Sequence, residues 1–197
     1  MIDLAFDSLK VLHMGSFAVG IGAAAFLELN LVQRFRSNLD FEGLNMLLLG
    51  HDLIKAAVIG LWLSGLGLLF LRLGVLGDPF TAKLGAKLAV VSALTINMVV
   101  IERYLIPEIL AYEDMGYPDI PLLARLKFGS IAGFSAGAWL SALLLGGIGR
   151  FKAMEALTLA EVLLPLLAAA TLAGALAAIL AGRETAPAPQ GSVVPGE

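Results

Sequence analysis

Leu9–Arg34 reads LKVLHMGSFAVGIGAAAFLELNLVQR, a long apolar helix with His13 near its start and Glu28 near its end. At 1.5 Å per residue, the fifteen steps between those two span roughly 22 Å, most of the hydrocarbon thickness of a bilayer. One ionisable group therefore lies near each membrane face. The polar residues farther along the chain sort by which of these two levels they can reach.

Composition agrees with a lipid solvent. Of the 197 residues 59% are hydrophobic and 15% charged, and the mean hydropathy is +0.90. A soluble domain carries roughly 25% charged residues. The net charge of -3 lacks the basic footprint that nucleic acid requires. With no cysteine, disulfides, thiolate metal sites, iron–sulfur clusters and covalently attached c-type haem are excluded. A cleaved signal peptide is not expected. The first apolar run is too long, and it starts from Asp3 and Asp7 without a basic segment.

Five apolar segments, at about 8–32, 46–72, 84–106, 128–148 and 157–181, predict an all-α, polytopic transmembrane helix bundle. They form one domain over 1–182. The Pro/Ala/Gly-rich remainder, 183–197, is expected to be a disordered tail. Gly74, Gly77, Asp78 and Pro79 mark the turn before the third span. The connector from Tyr104 to Lys127, with Pro107, Pro118 and Pro121, is expected to hold a short interfacial helix and then an extended stretch. Pro165 predicts a kink in the fifth span. Lys and Arg are split almost evenly between the two faces. Arg34 and Arg36 outweigh the acidic start of the first helix, which points to a cell inner membrane with the N-terminus outside and the C-terminus cytoplasmic.

Gly129, Gly133, Gly137 and Ser141 recur every four residues in the fourth span. Such a stripe lets backbones approach closely in lipid. It has three readings: packing within the bundle, a homo-oligomer interface, or room for a flat cofactor.

Alternating helix direction puts His13 and Lys87 at similar depth on one side, which we call the outer level. Imidazole serves as a haem-iron ligand or a proton carrier. An ammonium at that depth must snorkel or find a partner. The plain alternative is a Lys87 that snorkels and a His13 bonded to a backbone carbonyl.

Leu9-Lys-Val-Leu-His13, the glycine-bearing run that follows and Arg34 resemble the first helix of the small integral-membrane protoporphyrinogen oxidase family. They also resemble its copper-resistance-D-like relatives among small membrane proteins. Gly65–Leu69 resembles the end of that family's second helix, and Lys87, in the run AKLAVV, matches its third-helix lysine. The resemblance covers about 8–105. It implies a bound b-type haem, His13 as the ligand to haem iron, and Lys87 as a cofactor-binding and catalytic residue. Three features depart from the family: the fifth span, the absence of the aromatic residues that flank the family's His, and Gly50-His51-Asp52 at the start of the second helix. The resemblance therefore implies the site rather than the reaction.

On the inner level, Glu28, His51, Asp52, Lys55, Glu102 and Arg103 can meet. Three readings apply: interfacial salt bridges in which Lys55 and Arg103 neutralise Glu28 and Glu102, a proton or quinone site, or a metal held by the carboxylates. A haem joining His13 to His51 is excluded by depth, since the two differ by roughly 15 Å. Ser92, Thr95 and Asn97 are expected to make interhelical hydrogen bonds, and Trp62 and Trp139 to pack in the core. Two functional classes follow. One is a haem- or porphyrin-binding redox protein, with a quinone or membrane subunits as partners. The other is a non-enzymatic subunit or small transporter that packs through the glycine stripe.

Overall fold

The computed structural model describes residues 2–34, 41–112 and 115–184, and no strand occurs among them. Helix α1 is Ile2–Arg34, and α2 is Phe41–Phe70, which runs on into a π-helical turn at Leu71–Val75. Helix α3, Ala82–Val100, passes through a second π-helical turn, Ile101–Leu105, into the short α4, Ile106–Leu110. A single 3-10 turn, Tyr117–Asp119, leads to α5, Leu122–Gly147, and another, Gly149–Ala153, leads to α6, Ala156–Glu184. Five stretches are long and apolar enough to cross a membrane: Ile2–Asn30, Asn45–Val75, Ala82–Leu110, Leu122–Gly147 and Ala156–Gly182. The protein is an all-α, multi-pass membrane bundle. In lipid a helix satisfies every backbone polar group within itself, which is why an apolar chain of this kind folds so. Of the tail expected to be disordered, 183–197, Arg183 and Glu184 are instead the last residues of α6, and the rest lies outside the described residues, as do Glu113 and Asp114.

Three boundaries differ most from the sequence reading. The first span starts at Ile2 rather than near 8. The third span continues to Leu110 rather than ending near 106, although Pro107 has no N–H to donate. The π-helical turn immediately before Pro107 lets the chain remain helical there. The fourth span starts at Leu122, because Pro121 sits at its N-cap and presets the entry to the first turn. The connector is correspondingly short. Lys127 Nζ holds both carboxylate oxygens of Glu108, at 3.0 and 2.7 Å, and ties α4 to α5. Helix α6 runs through Pro165 as one element.

The helices associate as two hairpins, α1 with α2 and α5 with α6, with α3 touching α2, α5 and α6. Glycines set the register of the first hairpin. Gly50 faces Leu27, Gly60 faces Ser16, Gly65 faces the His13 ring and Gly67 faces Leu9. The glycine stripe sets the second. A Cβ at Gly129 would overlap the Gly174 backbone, one at Gly133 the Ala170 backbone, and one at Gly137 would meet Ala170 and Leu167. Ser141 continues the stripe, fully buried, with its hydroxyl donated to Gly137 O at 2.7 Å. The stripe is therefore occupied by α6 of the same chain. Packing within the bundle is the reading these contacts bear out.

Trp139, 2% exposed, stacks obliquely on Phe17 at 6.0 Å and fills the notch left by Gly20, which joins α5 to α1. Around it gather Val58, Leu61, Val90, Leu94 and Leu163. A second apolar cluster, Leu105, Ile109, Tyr117, Ile120, Ala124 and Phe128, closes the opposite end of the bundle. Each cluster borders a cavity, and the two cavities correspond to the two levels of the sequence.

Candidate functional site: an outer cleft and an inner cavity

At the outer level α1 and α3 do not pack closely. Between them opens a cleft of about 690 Å3, walled by α2 and α5. His13 and Lys87 both line it, as their shared depth predicts. Their helices face each other across this space rather than touching. Lys10 and Arg72 also line the cleft, and the rest of its wall is mainly apolar, with Phe17, Trp62 and Leu88 among its members.

The His13 ring rests against Gly65, where a side chain would meet it at 3.4 Å. Its Nδ1 lies 2.9 Å from Ser64 Oγ. Ser64 is fully buried in α2, and its hydroxyl donates to Gly60 O at 2.5 Å. That proton is thus committed to the backbone, so Ser64 Oγ accepts from His13 Nδ1–H. The tautomer that fits these contacts has Nδ1–H donating to Ser64 Oγ and the lone pair on Nε2. The Leu61 carbonyl also hydrogen-bonds the ring. A ring held at one nitrogen by a hydrogen-bond acceptor is the arrangement by which proteins orient a metal-ligating histidine.

The cations around the cleft differ in how they are matched. Lys10 pairs with Asp7 at 3.2 Å and lies 4.2 Å above the Phe6 ring. Arg72, carried by the π-helical turn after α2, has Asp78 at 4.0 Å. Lys87 has no ion pair or hydrogen bond among the described residues. One turn earlier on α3, Lys83 is buried and donates to Ile148 O at 2.7 Å, satisfying a carbonyl at the C-terminal end of α5. The pair Lys83 and Lys87, four apart, was a signal in the sequence, but charge counting alone did not separate the structural lysine from the free one. Ser64 was missed because one serine in an apolar span carries no signal until the α1–α2 register is known.

The inner level is built differently. Lys55 Nζ contacts Glu102 at 2.6 Å and Asp52 at 3.5 Å at the rim, and Arg103 is exposed. The salt-bridge reading holds for Lys55, but its partner is Glu102 rather than Glu28. Glu28 instead lines a cavity of about 110 Å3 together with His51. Since Gly50 faces Leu27, Glu28 and His51 stand within one turn of each other in depth. Gly65 lies fourteen residues beyond His51 on the same helix, roughly 21 Å, so the two histidines serve separate levels. Tyr117 lines the cavity from the connector, and its hydroxyl donates to Ala178 O at 3.5 Å. Burial pushes that phenol up to about 12, so it remains a neutral donor. Among the described residues no group of three or more His, Asp or Glu is placed to hold a metal ion. Of the other polar residues, Thr95 makes the expected interhelical bond, accepting from Trp62 Nε1 at 2.9 Å. Trp62 thereby stands on the cleft wall while packing against the core cluster, whereas Trp139 is buried within it.

No protein-family model matches the chain, and no curated protein or solved structure matches it. The reading of function therefore rests on the residues of the two cavities.

Proposed function

We propose that the outer cleft binds a tetrapyrrole carrying carboxylates, b-type haem above all, in a redox role. The observation that carries this reading is the chain of contacts His13–Ser64–Gly60, which fits an Nδ1–H tautomer of His13 at a cleft edged by cations. The cleft volume lies within the roughly 300–1,000 Å3 of small-molecule sites. Its apolar wall suits a ring system. Lys87, with Lys10 and Arg72 near it, suits the propionates, and their carboxylates would give Lys87 the counter-charge it lacks in lipid. In this reading His13 holds the iron, Ser64 fixes the ring's orientation, and Lys87 anchors and positions the cofactor's anionic edge. A haem bound there supplies one-electron chemistry at its iron. The resemblance to the membrane protoporphyrinogen oxidases points to the same two residues, His13 and Lys87. The alternative of a packing subunit has lost its observation, because α6 covers the glycine stripe.

The test is the absorption spectrum of protein purified from haem-replete cells. A Soret band that His13→Ala abolishes or shifts supports the reading. Colourless wild-type protein that also fails to take up added haem defeats it.

A further inference from the structure

The inner cavity has features that the outer cleft does not use. Its wall is almost wholly apolar, with Leu27, Leu105, Ile120 and Phe128 among its residues, yet Glu28 and His51 stand in it. His51 is 3% exposed, and its Nε2 is sealed from solvent with no hydrogen-bond partner. Glu28 has neither an ion pair nor a hydrogen bond among the described residues. A buried polar group without a partner loses free energy comparable to a broken hydrogen bond, and His51, with the half-buried Glu28 beside it in the cavity, calls for a ligand that supplies one. At the rim Lys55 and Glu102 pair with each other at 2.6 Å.

We propose that this cavity is a binding site for a phenol- or hydroquinone-type ring, whose hydroxyl donates to Glu28 or His51 while the ring packs on the apolar wall. The size favours a single ring. The cavity is about 110 Å3, below the roughly 150 Å3 of a dry apolar cavity that takes benzene, so it admits at most one ring, lying partly in its open mouth. The chemistry requires oxygen on that ring, because a hydrocarbon would leave Glu28 and His51 as they are. Tyr112 and Phe128, an edge-on pair at 6.3 Å, supply aromatic contact on one side. Such a ring can belong to a lipid-soluble quinol or to a free phenol, and both present the same hydroxyl. The site is independent of the haem reading, and either can fail alone.

The experiment uses the full chain in detergent micelles, with empty micelles subtracted. Binding of methylhydroquinone, kept reduced, is compared with that of 1,2,4-trimethylbenzene, in which methyl groups replace the two hydroxyls. The expected result is saturable binding of methylhydroquinone at least tenfold tighter than that of the hydrocarbon. Ala132→Leu, which fills the cavity, should abolish it, and Glu28→Gln or His51→Gln should weaken it about tenfold. Ala132 lines the cavity and is not fully buried, so its variant tests occupancy separately from folding. A decyl-substituted quinol that competes identifies the lipid-soluble source; failure to compete identifies the free phenol. Equal binding of the two ring compounds overturns the proposal, as does methylhydroquinone binding that Ala132→Leu leaves intact.

Discussion

The outer cleft and the inner cavity contain the same kinds of side chain, a histidine with a lysine nearby, and use them oppositely. At the inner level Lys55 has Glu102 at 2.6 Å and the histidine is sealed off. At the outer level Lys87 has no anion among the described residues, and the histidine is held by Ser64 through Nδ1. Neutralised cations close a surface, whereas an unmatched cation in lipid asks for an anionic ligand. Residue type alone therefore does not identify a membrane site. What separates the two levels is whether the chain supplies its own counter-charge.

The comparison can be broken most severely through the element the two regions share. Helix α5 lines the inner cavity with Phe128 to Ser135 and the outer cleft with Ala142 to Gly147. Gly133→Leu drives a branched side chain into the Ala170 backbone. Overpacking at such a backbone contact costs about 3 kcal/mol, so thermal unfolding in detergent should shift clearly downward and binding at both regions should fail together. An unchanged transition would mean that the α5–α6 seam does not hold the bundle.

A finer cut separates the levels. Ser64→Ala removes the acceptor that orients His13 without touching the cleft wall. Loss of such an outer partner weakens metal ligation roughly 10–100-fold, read here as haem retention on dilution. His51→Gln, the corresponding change at the inner level, should leave haem retention unchanged. Equal losses from both would erase the distinction between the levels.

Lys87→Met should weaken haem about tenfold, as expected for one charge-assisted hydrogen bond. A porphyrin with both propionates esterified should bind wild type and variant alike. If the ester still distinguishes them, Lys87 acts on something other than the carboxylates.

The smallest effect belongs to the rim. Lys55→Met and Glu102→Gln should show a weak coupling that salt removes, while Lys55→Met and Glu28→Gln should be additive in a double-mutant cycle. Strong coupling of Lys55 to Glu28 would restore one of the pairings that the sequence leaves open.

The sequence carried the fold because hydropathy and the length of a helical span leave few choices in lipid. Five spans, their order and the shared depth of His13 and Lys87 all follow from counting. Span ends were legible only where a proline acts alone. Pro107 reads as a stop, but the π-helical turn before it carries the helix on. The partner of Lys55 was not legible, since Glu28 and Glu102 lie at the same depth and only rotation about each helix axis decides which carboxylate turns toward it. Ser64 illustrates the same limit: its value comes from facing His13 across the α1–α2 register, which Gly60 and Gly65 set. Depth is a one-dimensional property that a sequence encodes well, whereas azimuth emerges from packing.

The central claim is that the outer level, and not the inner, holds a tetrapyrrole through His13. Titration of detergent-solubilised protein with ferric b-type haem, followed at the Soret band, tests it with wild type, His13→Ala and His51→Ala side by side. The account predicts a red-shifted band saturating at one equivalent for wild type and His51→Ala, and a spectrum like that of haem in empty micelles for His13→Ala. A saturating band in His13→Ala that disappears in His51→Ala would contradict it.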